Sequence, residues 1–119
     1  MYVLEKDAII NDQTCITIGS FDGIHIGHQE ILSKTIETAK KNALKSLLIT
    51  FSPSPKEFFD SKNHRYLTLL DEQLEIFNDY LLDYLLILPF DESLSKMTSK
   101  NFISEILVKQ LNVRSLVLG

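Results

Sequence analysis

The chain has a single cysteine, so no internal disulfide can form, and the lone Cys15 inside an apolar run fits an inert thiol in a reduced cytoplasmic setting. Basic clusters are missing as well: 12 Lys and Arg stand against 16 Asp and Glu, a formal charge of −4. A nucleic-acid surface needs a basic stripe to neutralise the phosphate backbone, which argues against that partner, whereas a small anionic ligand needs only local positive potential. No apolar run approaches membrane-spanning length, and the start, Met1-Tyr2-Val3-Leu4-Glu5-Lys6-Asp7, is not a basic stretch followed by an apolar one; a soluble protein with no membrane partner is expected. Internal repeats, low-complexity segments and Gly/Ser-rich linkers are also lacking. A chain of 119 residues, 45% of them hydrophobic, then builds one domain, or a piece of one, around a single core.

Four apolar, strand-like runs are present: Thr14 to Ile18, Ser46 to Phe51, Tyr84 to Leu88 and Val113 to Leu118. Between them lie helical patterns. Ile31, Leu32, Thr35, Ile36 and Ala39 share one face; Leu70, Leu74, Phe77 and Leu81 recur at spacings of four and three; Phe102, Ile103, Ile106, Leu107 and Leu111 form a third stripe. Thr68 with Asp71 reads as a variant capping box, and Thr98 or Ser99 starts the third helix. Strands alternating with helices, each strand apolar nearly throughout, predict an α/β fold with a parallel sheet covered on both faces by right-handed crossovers. Ligands of such sheets bind outside the carboxyl ends of the strands, at the switch point.

One junction carries chemistry. The first apolar run passes into Ile18-Gly19-Ser20-Phe21-Asp22-Gly23-Ile24-His25-Ile26-Gly27-His28, from which the first helical pattern continues. Unpaired N–H groups at a helix start attract anions, glycines let the backbone come close, and two imidazoles three residues apart can point at one phosphate chain. The ordinary alternative for His25 and His28 is a pair of loop histidines capping a helix. A zinc site competes poorly, because His64 and Cys15 are the remaining N/S ligands. No metal cage built by the protein is predicted.

This segment resembles the H-x-G-H motif of nucleotidylyltransferases, and its longer form G-S-F-D-G-I-H-I-G-H is similar to that of bacterial FAD synthetases. The resemblance implies a Rossmann-like nucleotidylyltransferase fold in which Gly19, Ser20, Phe21, Asp22, His25, Gly27 and His28 bind ATP. His25 and His28 would be the catalytic, phosphate-binding histidines and Gly27 the point of close approach. Asp22 matches the family's acidic position, with either a loop-ordering or a cation-related role.

A second segment, Thr50-Phe51-Ser52-Pro53-Ser54-Pro55-Lys56-Glu57-Phe58-Phe59, follows the second strand. Two prolines stiffen it, so Phe51 to Pro55 can hold an apolar ledge at little entropic cost. It resembles the T-F-x-P-H-P-x-x-x-F segment of FAD synthetases, which implies flavin binding by Phe51, Ser52, Pro53 and Ser54. Ser54 departs from that pattern by standing where the family has histidine. The ordinary alternative is that Phe51, Phe58 and Phe59 fill core, and Phe58 and Phe59 suit either role equally. His64 reads as part of a solvated loop in which Lys62 and Arg65 could approach an anionic ligand.

The resemblance extends over the whole chain, through Leu67-Thr68, the Leu86 to Asp91 stretch and Val117-Leu118-Gly119. It implies adenylyl transfer from ATP to FMN, giving FAD and pyrophosphate, with Mg²⁺ held chiefly by phosphate oxygens and no covalent enzyme intermediate. The family also has a D-F-R-F-G-like segment, a later ATP-gripping loop and a riboflavin kinase module. The expectation is therefore an adenylyltransferase domain incomplete at its C-terminal end, with possible self-association through the exposed edge of the Val113 to Leu118 strand. The alternatives are transfer to another acceptor, and a non-catalytic fragment that binds nucleotide or flavin.

Overall fold

The computed structural model describes residues 1–19, 26–52 and 71–118. In chain order the elements are β1 (Tyr2–Leu4), β2 (Thr14–Ile18), α1 (Ile26–Lys41), β3 (Lys45–Phe51), α2 (Asp71–Asp79), β4 (Tyr84–Leu88), α3 (Glu92–Lys96), α4 (Ser99–Asn101) leading into a π-helix (Phe102–Gln110), and β5 (Val113–Leu116). The strands form one five-stranded sheet in the order β1-β4-β3-β2-β5, and every pairing is parallel. The α/β architecture expected from the alternating pattern is the one found.

Alternation along each strand sorts the core into two layers. Ile16, Leu47, Ile49, Leu86 and Leu88 face one side and are covered by Leu107 and Leu111 of the π-helical segment and the turn after it. Leu48 and Leu85 face the other, under Leu32 and Ile36 of α1 and Phe77 of α2. Cys15 joins Ala39, Leu44 and Val117 in a third cluster; burial pushes its thiol pKa up, with a hydrogen bond to Ser115 opposing that shift. Removing this much aliphatic surface from water is the main term holding the layers together, at about 1.5–3 kcal/mol per fully buried side chain.

At the amino ends of the strands, Asp83 fastens β3 to β4. Its carboxylate accepts from the Ser46 N–H at 2.9 Å and the Ser46 hydroxyl at 3.1 Å, while its own N–H donates to that hydroxyl at 2.9 Å.

Several expectations need correction. Two short elements, β1 and α3, escape the periodicity because three and five residues hold less than one clear repeat. Leu81 does not continue the apolar face of α2. The helix ends at Asp79, and Leu81 sits in the left-handed region at φ 61°, which turns it outward to 69% exposure while Leu82 takes the buried place. Ile103 likewise leaves the third stripe, being 49% exposed: the segment is π-helical, its final N–H reaching from Leu111 back to Ile106 at 3.0 Å, and five-residue hydrogen-bond spacing re-phases the face. The last strand ends at Leu116, although Val117 still donates to the Ile16 carbonyl at 2.9 Å. Thr98 does cap its helix, accepting from Asn101 N–H at 3.1 Å; Thr68 lies outside the described residues.

Candidate active site

All strands being parallel, their carboxyl ends gather at one end of the sheet. α1 and α2 both pack on one face, whereas the connection from β4 to β5 crosses the other face through the π-helix. Chain direction therefore switches between the neighbours β2 and β5, and a crevice opens there. The histidine motif begins at this point. Gly19 follows β2 directly and its N–H donates to the Ile49 carbonyl at 3.0 Å, fixing the start of the motif to β3. Gly27 and His28 lie in the first turn of α1, a 16-residue helix with no acidic residue in its first turn and Lys40 and Lys41 in its last. Lys40 and Lys41 complement the negative C-terminal end of the helix dipole, and no carboxylate in the first turn offsets its positive N-terminal end. Ser20, Phe21, Asp22 and His25 lie outside the described residues, as do Pro53, Ser54, Phe58, Phe59 and His64.

The second predicted segment leaves β3, the strand beside β2. Phe51 closes β3, and its ring meets Phe90 edge-on with centroids 6.0 Å apart and planes at 87°, a favourable aromatic geometry. Ser52 N–H donates to the Leu88 carbonyl at 3.0 Å, carrying the ladder one step past the strand. Thus the structure brings Gly19, Phe51, Ser52 and the helical turn bearing Gly27 and His28 to one end of the sheet.

Beside them lies an apolar pocket of about 360 Å³, whose walls include Ile18, Phe51, Phe90, Met97, Phe102 and Leu116. The sequence reading missed Phe90, Met97 and Leu116 as site residues. A signal for the α3 side of this pocket was available in Asp91, whose carboxylate accepts from the Leu94 N–H at 2.8 Å as an N-cap. The described residues bring together no group of three His, Cys, Asp or Glu able to hold a metal, and they contain no helix long and apolar enough to cross a membrane.

A sequence profile described as FAD synthetase matches residues 7–119. The chain belongs to the FAD synthetase family. Among relatives, a protein of Buchnera aphidicola subsp. Schizaphis graminum named bifunctional riboflavin kinase/FMN adenylyltransferase is 36% identical over 111 residues, covering 92% of this chain and 36% of the relative. The Escherichia coli K12 protein of the same name is 39% identical over 105 residues, covering 87% of the chain and 34% of the relative. The chain thus spans about a third of the length of the curated relatives it matches. Among solved structures, one from Streptococcus pneumoniae described as a macrolide-efflux protein superposes with a TM-score of 0.83 at 25% identity, covering 99% of this chain and 41% of the other. That likeness agrees with the Rossmann-like FAD synthetase architecture of the present sheet.

Proposed function

We propose that this chain carries the adenylyl-transfer chemistry of an FAD synthetase. A phosphate oxygen of FMN attacks the α-phosphorus of ATP; that P–O bond forms as the bond to the β-phosphate oxygen breaks, the electron pair leaves with pyrophosphate, and FAD results. The observation that supports this most is that Gly19, where the histidine motif begins, and the Phe51 end of β3 lie at the carboxyl ends of adjacent strands, next to an apolar pocket. The histidine motif, with Gly19, Ser20, Phe21, Asp22, His25, Gly27 and His28, would take ATP. Phe51, Ser52, Pro53 and Ser54 would direct the isoalloxazine ring into the pocket, where Phe90 and Phe102 offer aromatic walls.

His25 and His28 act by donating hydrogen bonds to phosphate oxygens, holding the α-phosphorus for in-line attack; positioning and charge neutralisation account for the acceleration. Mg²⁺ bound to the phosphate oxygens of ATP would neutralise charge on the departing pyrophosphate, a donor set that asks little of the protein. The relatives' name also includes riboflavin kinase, and this chain spans 36% of one of them. A cytoplasmic setting accords with the buried free thiol, and self-association through the β5 edge, where Leu116 is 40% and Leu118 64% exposed, is checked by sedimentation equilibrium.

The deciding experiment incubates the protein with MgATP and, in turn, FMN, phosphopantetheine and nicotinate mononucleotide, following pyrophosphate release and chromatographing the products. FAD formed with FMN, and nothing formed with the others, is expected. Turnover of another acceptor would redirect the assignment, and calorimetric binding of ATP and FMN without turnover would reduce it to a binding role.

A further inference from the structure

At the edge of the sheet remote from the adenylyl site, β1 pairs with β4 alone. Tyr2 N–H donates to the Asp83 carbonyl at 2.9 Å, and the alternation of a parallel ladder then turns the N–H and C=O of Val3 away from β4. No strand stands on that side among the described residues. The surroundings are apolar and open, with Tyr2 73%, Val3 54% and Ile9 73% exposed. An open groove of about 660 Å³ runs beside the strand, lined by Tyr2, Leu4, Glu5, Asp7, Ala8 and Tyr84. Tyr2 and Tyr84 lie tilted together with centroids 6.1 Å apart, and the Tyr84 phenol donates to the Asp12 carboxylate at 3.2 Å. The side-chain charge at the groove is acidic, from Glu5, Asp7 and Asp12; Asp7 also lines the adjoining hollow next to α3 that Lys6 enters, and the Met1 amine donates to Asn78 Oδ1 at 3.4 Å.

We propose that the β1 edge docks an extended segment of another protein in which Lys or Arg alternates with apolar residues. Strand addition uses the outward backbone groups of Val3. The two-residue side-chain period places the partner's cations on one face, against the carboxylates and tyrosine rings, and its apolar residues on the other. Charge complementarity selects this occupant over a second copy, because the Met1 to Ala8 segment offers Lys6 as its one basic side chain and the whole chain carries −4.

The chain has no tryptophan, so fluorescence anisotropy of the heptapeptide Lys-Val-Lys-Trp-Lys-Val-Lys reports binding directly. Saturable binding is expected, about tenfold or more tighter than that of Glu-Val-Glu-Trp-Glu-Val-Glu. Val3→Pro removes the outward N–H without touching the Tyr2 to Asp83 bond, and should weaken binding by about tenfold at an unchanged melting temperature. The double variant Glu5→Lys/Asp7→Lys should reverse the preference between the two peptides. Undiminished binding by Val3→Pro would reduce the interaction to unspecific charge attraction and overturn strand addition. Failure of the basic peptide to bind at millimolar concentration would overturn it too, as would a concentration-dependent dimer that Val3→Pro dissolves, which would make a second copy the occupant.

Discussion

Thr14, Thr17 and Thr35 are all buried to 0% exposure, and replacing each by valine should change stability with opposite signs. Thr14 donates from Oγ1 to the Leu111 carbonyl at 2.8 Å across 97 residues of chain. Thr35 donates to Ile31 one helical turn back, also at 2.8 Å. Among the described residues the Thr17 hydroxyl has no partner, so it contributes only the cost of leaving water, about 1–3 kcal/mol for a buried unsatisfied group. Thr17→Val keeps the shape, restores that cost and adds a strand-favouring side chain, giving a gain of about 1.5 kcal/mol. Thr14→Val should lose about 1–2 kcal/mol, because the Leu111 carbonyl is left unpaired. Thr35→Val should lose about 0.5–1 kcal/mol, because the Ile31 carbonyl keeps its helical acceptor role. At about 2.1 cal/mol/K of unfolding entropy per residue, a chain of 119 residues shifts its midpoint by about 4 °C per kcal/mol, so Thr17→Val should melt about 6 °C higher. Urea titrations followed by far-UV circular dichroism, with equal m-values across the series, measure all three. A loss of stability in Thr17→Val like that of Thr14→Val would show that its hydroxyl is paired after all, and would refute the reasoning.

Other outcomes follow from the site and the core. His28→Ala should weaken ATP binding in calorimetry while leaving the melting temperature nearly unchanged; a large fall in melting temperature at constant affinity would assign the residue to capping. Gly27→Val should abolish nucleotide binding, because a branched side chain in the first turn of α1 blocks close approach of phosphate to backbone; wild-type affinity would exclude that role. Phe51→Ala removes the edge-on contact to Phe90 and one wall of the pocket, so FMN affinity should fall by about tenfold or more while ATP affinity holds. Burial raises the Cys15 pKa, so the thiol stays protonated in the folded protein at neutral pH. Its stabilising contribution is complete below the unfolded-state pKa and is lost as pH rises through the folded-state value. Labelling by a thiol reagent at pH 7 should therefore occur only at the rate of unfolding; fast labelling of native protein would contradict the buried position.

The sequence by itself determined the parts that depend on local pattern. Near-continuous apolar runs such as Leu47-Leu48-Ile49 read as strands buried on both faces, and the helical spacings between them as parallel crossovers. The strand-to-helix junction between Gly19 and Gly27 was legible by residue type and spacing, and β2 does end at Ile18 and α1 begin at Ile26, because such a junction is a local construction. Thr98 capped its helix as read because a side-chain oxygen three residues from the N–H it accepts needs no distant partner. What tertiary structure alone decided involves residues remote in sequence or elements too short to show a period. Strand order is one instance: Cys15 beside Ser46 on one side and Ser115 on the other follows from how the sheet closes, which no local window contains. Phe51 against Phe90, and Leu116 in the same pocket wall, come together only when β2, β3, β4 and β5 are aligned at their carboxyl ends. The outward turn of Leu81 and the half-exposure of Ile103 were likewise hidden, because a positive φ after α2 and π-type hydrogen bonding are imposed by packing on the sheet, and both override the 3.6-residue period from which the faces were read.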